Sequence, residues 1–359
     1  MVEGSDIQSA AVALPCEELT PSLEFFESLG FRLEMIAPAD DPSVALLSGY
    51  GVRLRLERGG QGDPGVLRLE THDPAQAREL QAPNGTQVLI RGGTQLSVPP
   101  LEPAFALSRI ADAQWVEGRA GMRYRDLMPE RQGGRYIASH IQITDGGRVA
   151  DYVHHHQIHF QLIYVQRGWV EVVYESHGEP ILMQQGDCVL QPPHIRHRVL
   201  SSSSGLEVVE VACPAAHPTF RDHELSLPTA AYDREFSGQR FIHHIAREAS
   251  WKSSELGEAR DTGLGVASAG LVDVRALRRI PADYVQSHAG ELCLYFVSAG
   301  SSDFFCEGRE RARLGAGDAV AVPGGVPHAW SAPSSDFELL RIASPASLEV
   351  RPHPRKELT

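Results

Sequence analysis

The stretch GRVADYVHHHQIHFQLIYVQRG (residues 147–168) decides the fold. Its apolar run FQLIYV (160–165) reads as a β-strand, and four of the chain's sixteen histidines crowd into 154–159 just before it. On an extended segment His154 and His156 project from one face and His155 from the other. His159 falls at the hairpin turn. Further on, GDCVLQPPHIRH (186–197) joins a Gly-Asp turn to a short strand and ends on His197.

Working outward, the pattern occurs twice. Ala150-Asp151-Tyr152-Val153 recurs 132 residues later as Ala282-Asp283-Tyr284-Val285, and His156 and Gly168 meet His288 and Gly300. With one residue dropped, Gly186-Asp187, Pro192 and His197 meet Gly317-Asp318, Pro323 and His328. So many typed positions in order make the two halves copies of one β-fold. Short apolar runs such as YIASHIQIT (136–144), WVEVVY (169–174), LEVVEVAC (206–213) and ELCLYFV (291–297), bounded by Gly, Pro, Asp and Ser, point to a sandwich or barrel.

These motifs resemble those of the cupin superfamily, whose first motif carries a His-x-His pair and an acidic ligand between two glycines, and whose second ends in Pro, Gly and His. Here Gln161 stands where the family has Glu, and His194 where it has Gly. The resemblance spans residues 115–350. It implies a mainly β fold of two double-stranded β-helix barrels, the cupin domains 107–230 and 231–359, with a metal in the first.

His154, His156 and, from the paired strand, His197 are the expected metal ligands. Three neutral imidazoles suit Fe, Ni, Cu, Zn or Mn and leave coordination positions open. Gln161, the expected fourth ligand or hydrogen-bond partner of a bound molecule, carries no charge. The ion then keeps its full charge, which favours anionic or bidentate oxygen substrates. A surface histidine cluster or packed core histidines remain the alternative. Catalytic candidates beside Gln161 are His159, as an acid or base, and Tyr164, as a cavity-lining phenol; a solvated turn histidine and a core aromatic are the competing readings. Tyr136 and His140 are further cavity candidates, and Arg196 a partner for a substrate carboxylate. In the second copy Gln286 replaces His154 and Cys293 replaces Gln161. His288 and His328 remain there, with Glu291 as an alternative third ligand. A degenerate, structural half is expected.

Residues 7–57 read strand, helix (21–29), strand and two hairpin strands, with Thr20 to Ser22 as the helix cap. This βαβββ order and the phrase LTPSLEFFESLGF (19–31) resemble one module of the vicinal oxygen chelate, or glyoxalase-like, superfamily. The resemblance implies a small α+β domain within 1–100, completed by a short second module over 66–92. The family's first-strand histidine is missing from Ile7–Ala10, and Glu57 alone is not a site, so this domain is expected to bind no metal. The Pro-containing segment 92–106 separates it from the barrels.

Composition narrows the function. Asp and Glu outnumber Lys and Arg by 46 to 33 with no basic tract, which argues against nucleic-acid binding. Five scattered cysteines without CxxC spacing argue against a disulfide framework or a thiolate zinc site. The acidic start lacks a signal-peptide pattern and no stretch reaches eighteen apolar residues, so a cytoplasmic setting without membrane contact is expected. A homodimer is allowed. Cupins with three histidines and no acidic ligand resemble Fe(II) dioxygenases. The expected function is therefore an Fe(II)-dependent dioxygenase-type oxidoreductase on a small polar metabolite. It would hold one divalent transition metal per chain, Fe(II) favoured and Zn, Mn, Ni or Cu as alternatives. A non-redox isomerase or lyase on an oxyanion-bearing substrate, and a non-catalytic ligand-binding bicupin, are the competing readings.

Overall fold

The computed structural model describes residues 7–93, 96–281 and 284–353. Ala282 and Asp283 of the repeat lie outside the described residues. The chain divides into two compact units, Met1–Gln95 and Leu96–Thr359.

In the first unit the strand Val12–Cys16 and the helix Leu19–Ser28 precede the strands Arg32–Ala37, Val44–Gly49 and Val52–Arg58. The first strand pairs in parallel with the fourth, so the sheet order is first, fourth, third, second. Phe26 on the helix shares a core with Leu47, Leu54 and Leu56. Glu18, not Thr20, occupies the cap position, and no side chain caps the helix; Thr20 lies in its first turn. Three further strands, Val66–Thr71, Arg78–Gln81 and Gln87–Gly92, form a separate sheet whose Val88 and Ile90 join the same core. Glu57 is ion-paired to Arg55.

The second unit holds both copies of the repeat. In the first copy a seven-stranded sheet runs from Ile242–His244 through Cys188–Gln191, Phe160–Arg167, Leu206–Cys213 and Ile137–Ile143 to Arg123–Asp126 and Val116–Glu117. A second sheet carries Trp169–Tyr174, His197–Ser202 and His154–His156. The second copy repeats this with Leu292–Ala299, Glu338–Ser344 and Asp273–Arg278 in the larger sheet, and Ser301–Cys306, His328–Ser331 and Gln286–His288 in the smaller.

Alternation along the strands sorts the side chains into two layers. Phe160, Leu162 and Tyr164 belong to a core shared with Leu294, Phe296 and Leu340 of the second copy. The outer faces of the two large sheets therefore pack on one another. Each large apolar side chain fully buried there contributes about 1.5–3 kcal/mol. Gln161 and Ile163, at the opposite parity, face the interior of the first barrel.

Each copy also lends the other a strand. Ala106–Ser108, which precedes the first barrel in sequence, pairs with Ala319–Ala321 of the second. Ile242–His244, which precedes the second barrel, pairs with Cys188–Leu190 of the first. The repeated Gly-Asp turns lock both exchanges in the same way. Asp187 accepts hydrogen bonds from the Gln184 and Ala246 amides, both at 2.8 Å. Asp318 accepts them from the Gly315 and Ile110 amides, at 2.9 and 2.8 Å. The preceding glycines sit at φ +91° and +90°, where a side chain would be strained and its Cβ would press on Ala246 or Ile110. Consequently the sequence limits 107–230 and 231–359 do not enclose complete sets of strands.

Candidate metal centre

His154 and His197 are direct partners on antiparallel strands, and His156 follows on the same face as His154. The ring centroids stand 4.3 Å apart for His154–His197, 5.1 Å for His154–His156 and 5.3 Å for His156–His197. One ring nitrogen from each lies within 4.8 Å of the other two, enough to hold one ion. Hydrogen bonds choose which nitrogen. Nδ1 of His154 lies 2.8 Å from the Tyr152 carbonyl, and Nδ1 of His197 lies 3.1 Å from the Ile195 carbonyl. A carbonyl only accepts, so both Nδ1 atoms carry the proton. Nδ1 of His156 meets the Thr219 hydroxyl at 2.8 Å, a partner that serves either tautomer. In His154 and His197 the lone pair is left on Nε2.

Burial, reinforced by the neighbouring imidazoles, pushes His156 and His197 far below the usual histidine range; burial and the Arg119 guanidinium lower His154. All three are neutral, as metal binding requires. Gln161 adds a fourth acceptor. Its Nε2 donates to Glu210 Oε1 at 3.0 Å, and its buried Oε1 has no partner. An acceptor cluster of this kind, enclosed and short of donors, fits a cation. A cationic donor also reaches the cluster: Arg119 Nη2 lies 3.0 Å from His154 Nε2 and donates to the lone pair an ion would use, while Nη1 donates to the buried Asp151 at 2.9 Å, so a bound ion must displace the first of these contacts.

The histidines open into a cavity of about 320 Å³. Beyond its polar end the wall is apolar, built by residues such as Met122, Ile141, Ile163, Val172, Val199 and Leu206. That wall offers apolar contact to the body of a bound molecule.

The other candidates lie elsewhere. His159 is exposed at the turn, where its carbonyl accepts from Gln239 Nε2. Tyr164 is in the core between the barrels, because its parity is opposite to that of Gln161. Tyr136 and His140 fail for the same reason. Tyr136 donates to Glu291 Oε2 at 2.8 Å, and His140 lies 3.1 Å from Glu207. His155 faces away from the centre, stacked on Phe220. Arg196 is taken by Asp222 and Glu175. Glu291 is held by Arg135 and Tyr136, and is not a ligand beside His288 and His328. In the second barrel Tyr295 takes the centre. Its hydroxyl lies 3.0 Å from His328 Nε2 and accepts from Gln286 Nε2 at 3.2 Å, while His288 Nε2 donates to the Val322 carbonyl at 2.9 Å.

Sequence reasoning missed Arg119, Glu210, Tyr174, Gln191 and His217, all of which line the cavity. Glu210 had a readable signal: a carboxylate at the inward parity of Leu206 and Val208. Burial raises its carboxyl above the usual range. Tyr174 stacks on His197 with ring centroids 5.6 Å apart and accepts from Gln191 Nε2 at 2.8 Å.

No family model and no curated protein matches the sequence. Solved structures do match. The chain is similar to protein Ylba from E. coli, with 12% identity over 70% of this chain and 94% of that one, at a TM-score of 0.52. It is also similar to an oxalate decarboxylase variant from Bacillus subtilis, with 12% identity over 69% of this chain and 79% of that one, at a TM-score of 0.51. At such identities the likeness concerns the fold, which is that of the bicupins. No helix among the described residues is long and apolar enough to cross a membrane.

Proposed function

We propose that the first barrel is the centre of a metal-dependent enzyme, an Fe(II) dioxygenase-type oxidoreductase acting on a metabolite with an anionic head and a compact apolar body. The observation that carries this reading is the convergence of three buried imidazoles, each ring held by a hydrogen bond at Nδ1 and each with one nitrogen within 4.8 Å of the other two. His154, His156 and His197 would hold the ion, with Gln161 Oε1 as fourth donor. A divalent ion among neutral donors supplies undiminished Lewis acidity and, as Fe(II), reducing electrons for dioxygen. Arg119, anchored on Asp151 through Nη1, would turn Nη2 from His154 to an anionic substrate group once an ion takes His154 Nε2. The apolar wall binds the substrate body and excludes water.

Glu210 favours a second reading. Burial raises the Glu210 carboxyl above the usual range, and a carboxyl so placed beside Gln161 would exchange a proton with a substrate, as a non-redox isomerase or lyase needs. Five buried, unpaired cysteines support the cytoplasmic setting. The strand order of residues 12–58 supports a glyoxalase-like scaffold for the N-terminal unit.

Elemental analysis of protein purified without chelator, then oxygen uptake after anaerobic Fe(II) loading with a panel of aromatic and short-chain carboxylic acids, tests the proposal. Iron-dependent uptake with one acid class is expected. Zinc- or manganese-loaded protein that converts such an acid without oxygen uptake would overturn the oxygenase reading in favour of the second.

A further inference from the structure

The second barrel has a cavity of its own, of about 420 Å³, with a charged end and an aliphatic wall. That end is formed by Arg275 and Arg341, which stand directly opposite one another on the antiparallel strands Asp273–Arg278 and Glu338–Ser344. Both side chains leave the same face of the sheet, and like charges so placed repel. Compensation is uneven. Arg275 Nε donates to Asp273 Oδ2 at 2.8 Å and its Nη2 stands 3.8 Å from the exposed Asp261, whereas Arg341 approaches, among the described residues, only the Asp273 oxygen, at 3.6 Å. The Arg341 side chain is 7% exposed, its guanidinium makes no hydrogen bond among the described residues, and its buried Nε has no partner. Glu255 sits on the exposed rim, and Leu256, Leu277 and Leu348 form the apolar part of the wall.

The counterparts in the first barrel are Ser139 and Glu210, paired in the same register and facing the histidine cavity. The same strand pair thus carries a carboxylate beside the proposed ion in one barrel and two guanidiniums in the other. We propose that the second barrel binds a small organic carboxylate without any metal. Its two oxygens would accept hydrogen bonds from Arg275 and Arg341, and its apolar body would lie against Leu256, Leu277 and Leu348. The proposal does not depend on the reading of the first barrel.

The test uses the full chain with the first barrel disabled, as the chelator-treated protein and as His197→Ala, with benzoate as probe and benzamide as its uncharged control. Calorimetry should show one benzoate per chain in both preparations and no benzamide binding. Arg275→Gln and Arg341→Gln should each weaken benzoate by at least about ten-fold, as loss of a charge-assisted pair does. Arg341→Gln should also raise the Tm of the ligand-free protein, because it removes a charge without an adequate partner; an arginine kept only for structure would lower it. Benzoate affinity unchanged in Arg275→Gln, the half-exposed and structurally milder change, would overturn the proposal. So would failure of benzoate to bind either disabled preparation, or a lower Tm in ligand-free Arg341→Gln.

Discussion

The two barrels share one strand plan and differ in what fills it. Register pairs Ile163, Val172, Val199 and Leu206, which line the first cavity, with Tyr295, Phe304, Trp330 and Phe337 in the second. The four larger rings pack on one another, with Phe304 and Trp330 centroids 4.8 Å apart and Trp330 and Phe337 5.4 Å apart. The difference teaches that more than missing ligands separates the two. Gln286 and Cys293 stand where the first barrel has His154 and Gln161, and Tyr295 in addition fills the hole and engages His328. The first barrel keeps its space at the cost of packing: four smaller side chains surround a cavity that a substrate must complete.

The largest effect should come from the ligands themselves. His154→Ala or His197→Ala should weaken metal retention more than about 100-fold, since even changes to groups that merely support ligands cost 10–100-fold. His288→Ala and His328→Ala should leave metal content unchanged by elemental analysis. Equal loss on both sides would erase the distinction between the barrels. Next, Trp330→Ala should destabilise the protein by about 3–5 kcal/mol in denaturant unfolding, because it empties a filled core, without adding a metal. Smaller in energy is the reverse experiment. Val172→Phe places in the first barrel the side chain found at 304; it should preserve metal content while weakening organic ligands by about ten-fold or more through lost space. Smallest of all, Gln286→His alone should leave the metal stoichiometry unchanged, because Tyr295 still blocks His328. Combined with Tyr295→Ile it should admit a weakly held second ion, detectable by equilibrium dialysis.

Much of this was legible in the residues. The repeat and the His-x-His parity point to His154, His156 and His197, because a strand's period of two is rigid. Tyr164 and Tyr136, cavity candidates in the sequence, lie in the core between the barrels instead. FQLIYV carries a polar group on each face, Gln161 on one and the Tyr164 phenol on the other, so composition alone does not say which face turns inward when both are buried. Arg119 carried no comparable signal. It lies on the short turn Arg119–Gly121 and reaches the site only because Asp151, itself holding the Val199 amide, draws its guanidinium in. Such a contact depends on how a loop folds back over a barrel mouth. The strand exchange was equally silent, since neither three-residue strand differs in kind from its surroundings.

That exchange has a consequence for the chain's history. A cut at residue 230 would strip Ile242–His244 from the first barrel and leave Ala106–Ser108 behind on the wrong fragment. Each piece would then present a bare sheet edge, ready to pair with the next molecule. Once the two copies had traded strands, neither could be shed without endangering the solubility of the other. Whatever the second barrel binds, it therefore also serves as a covering for its twin.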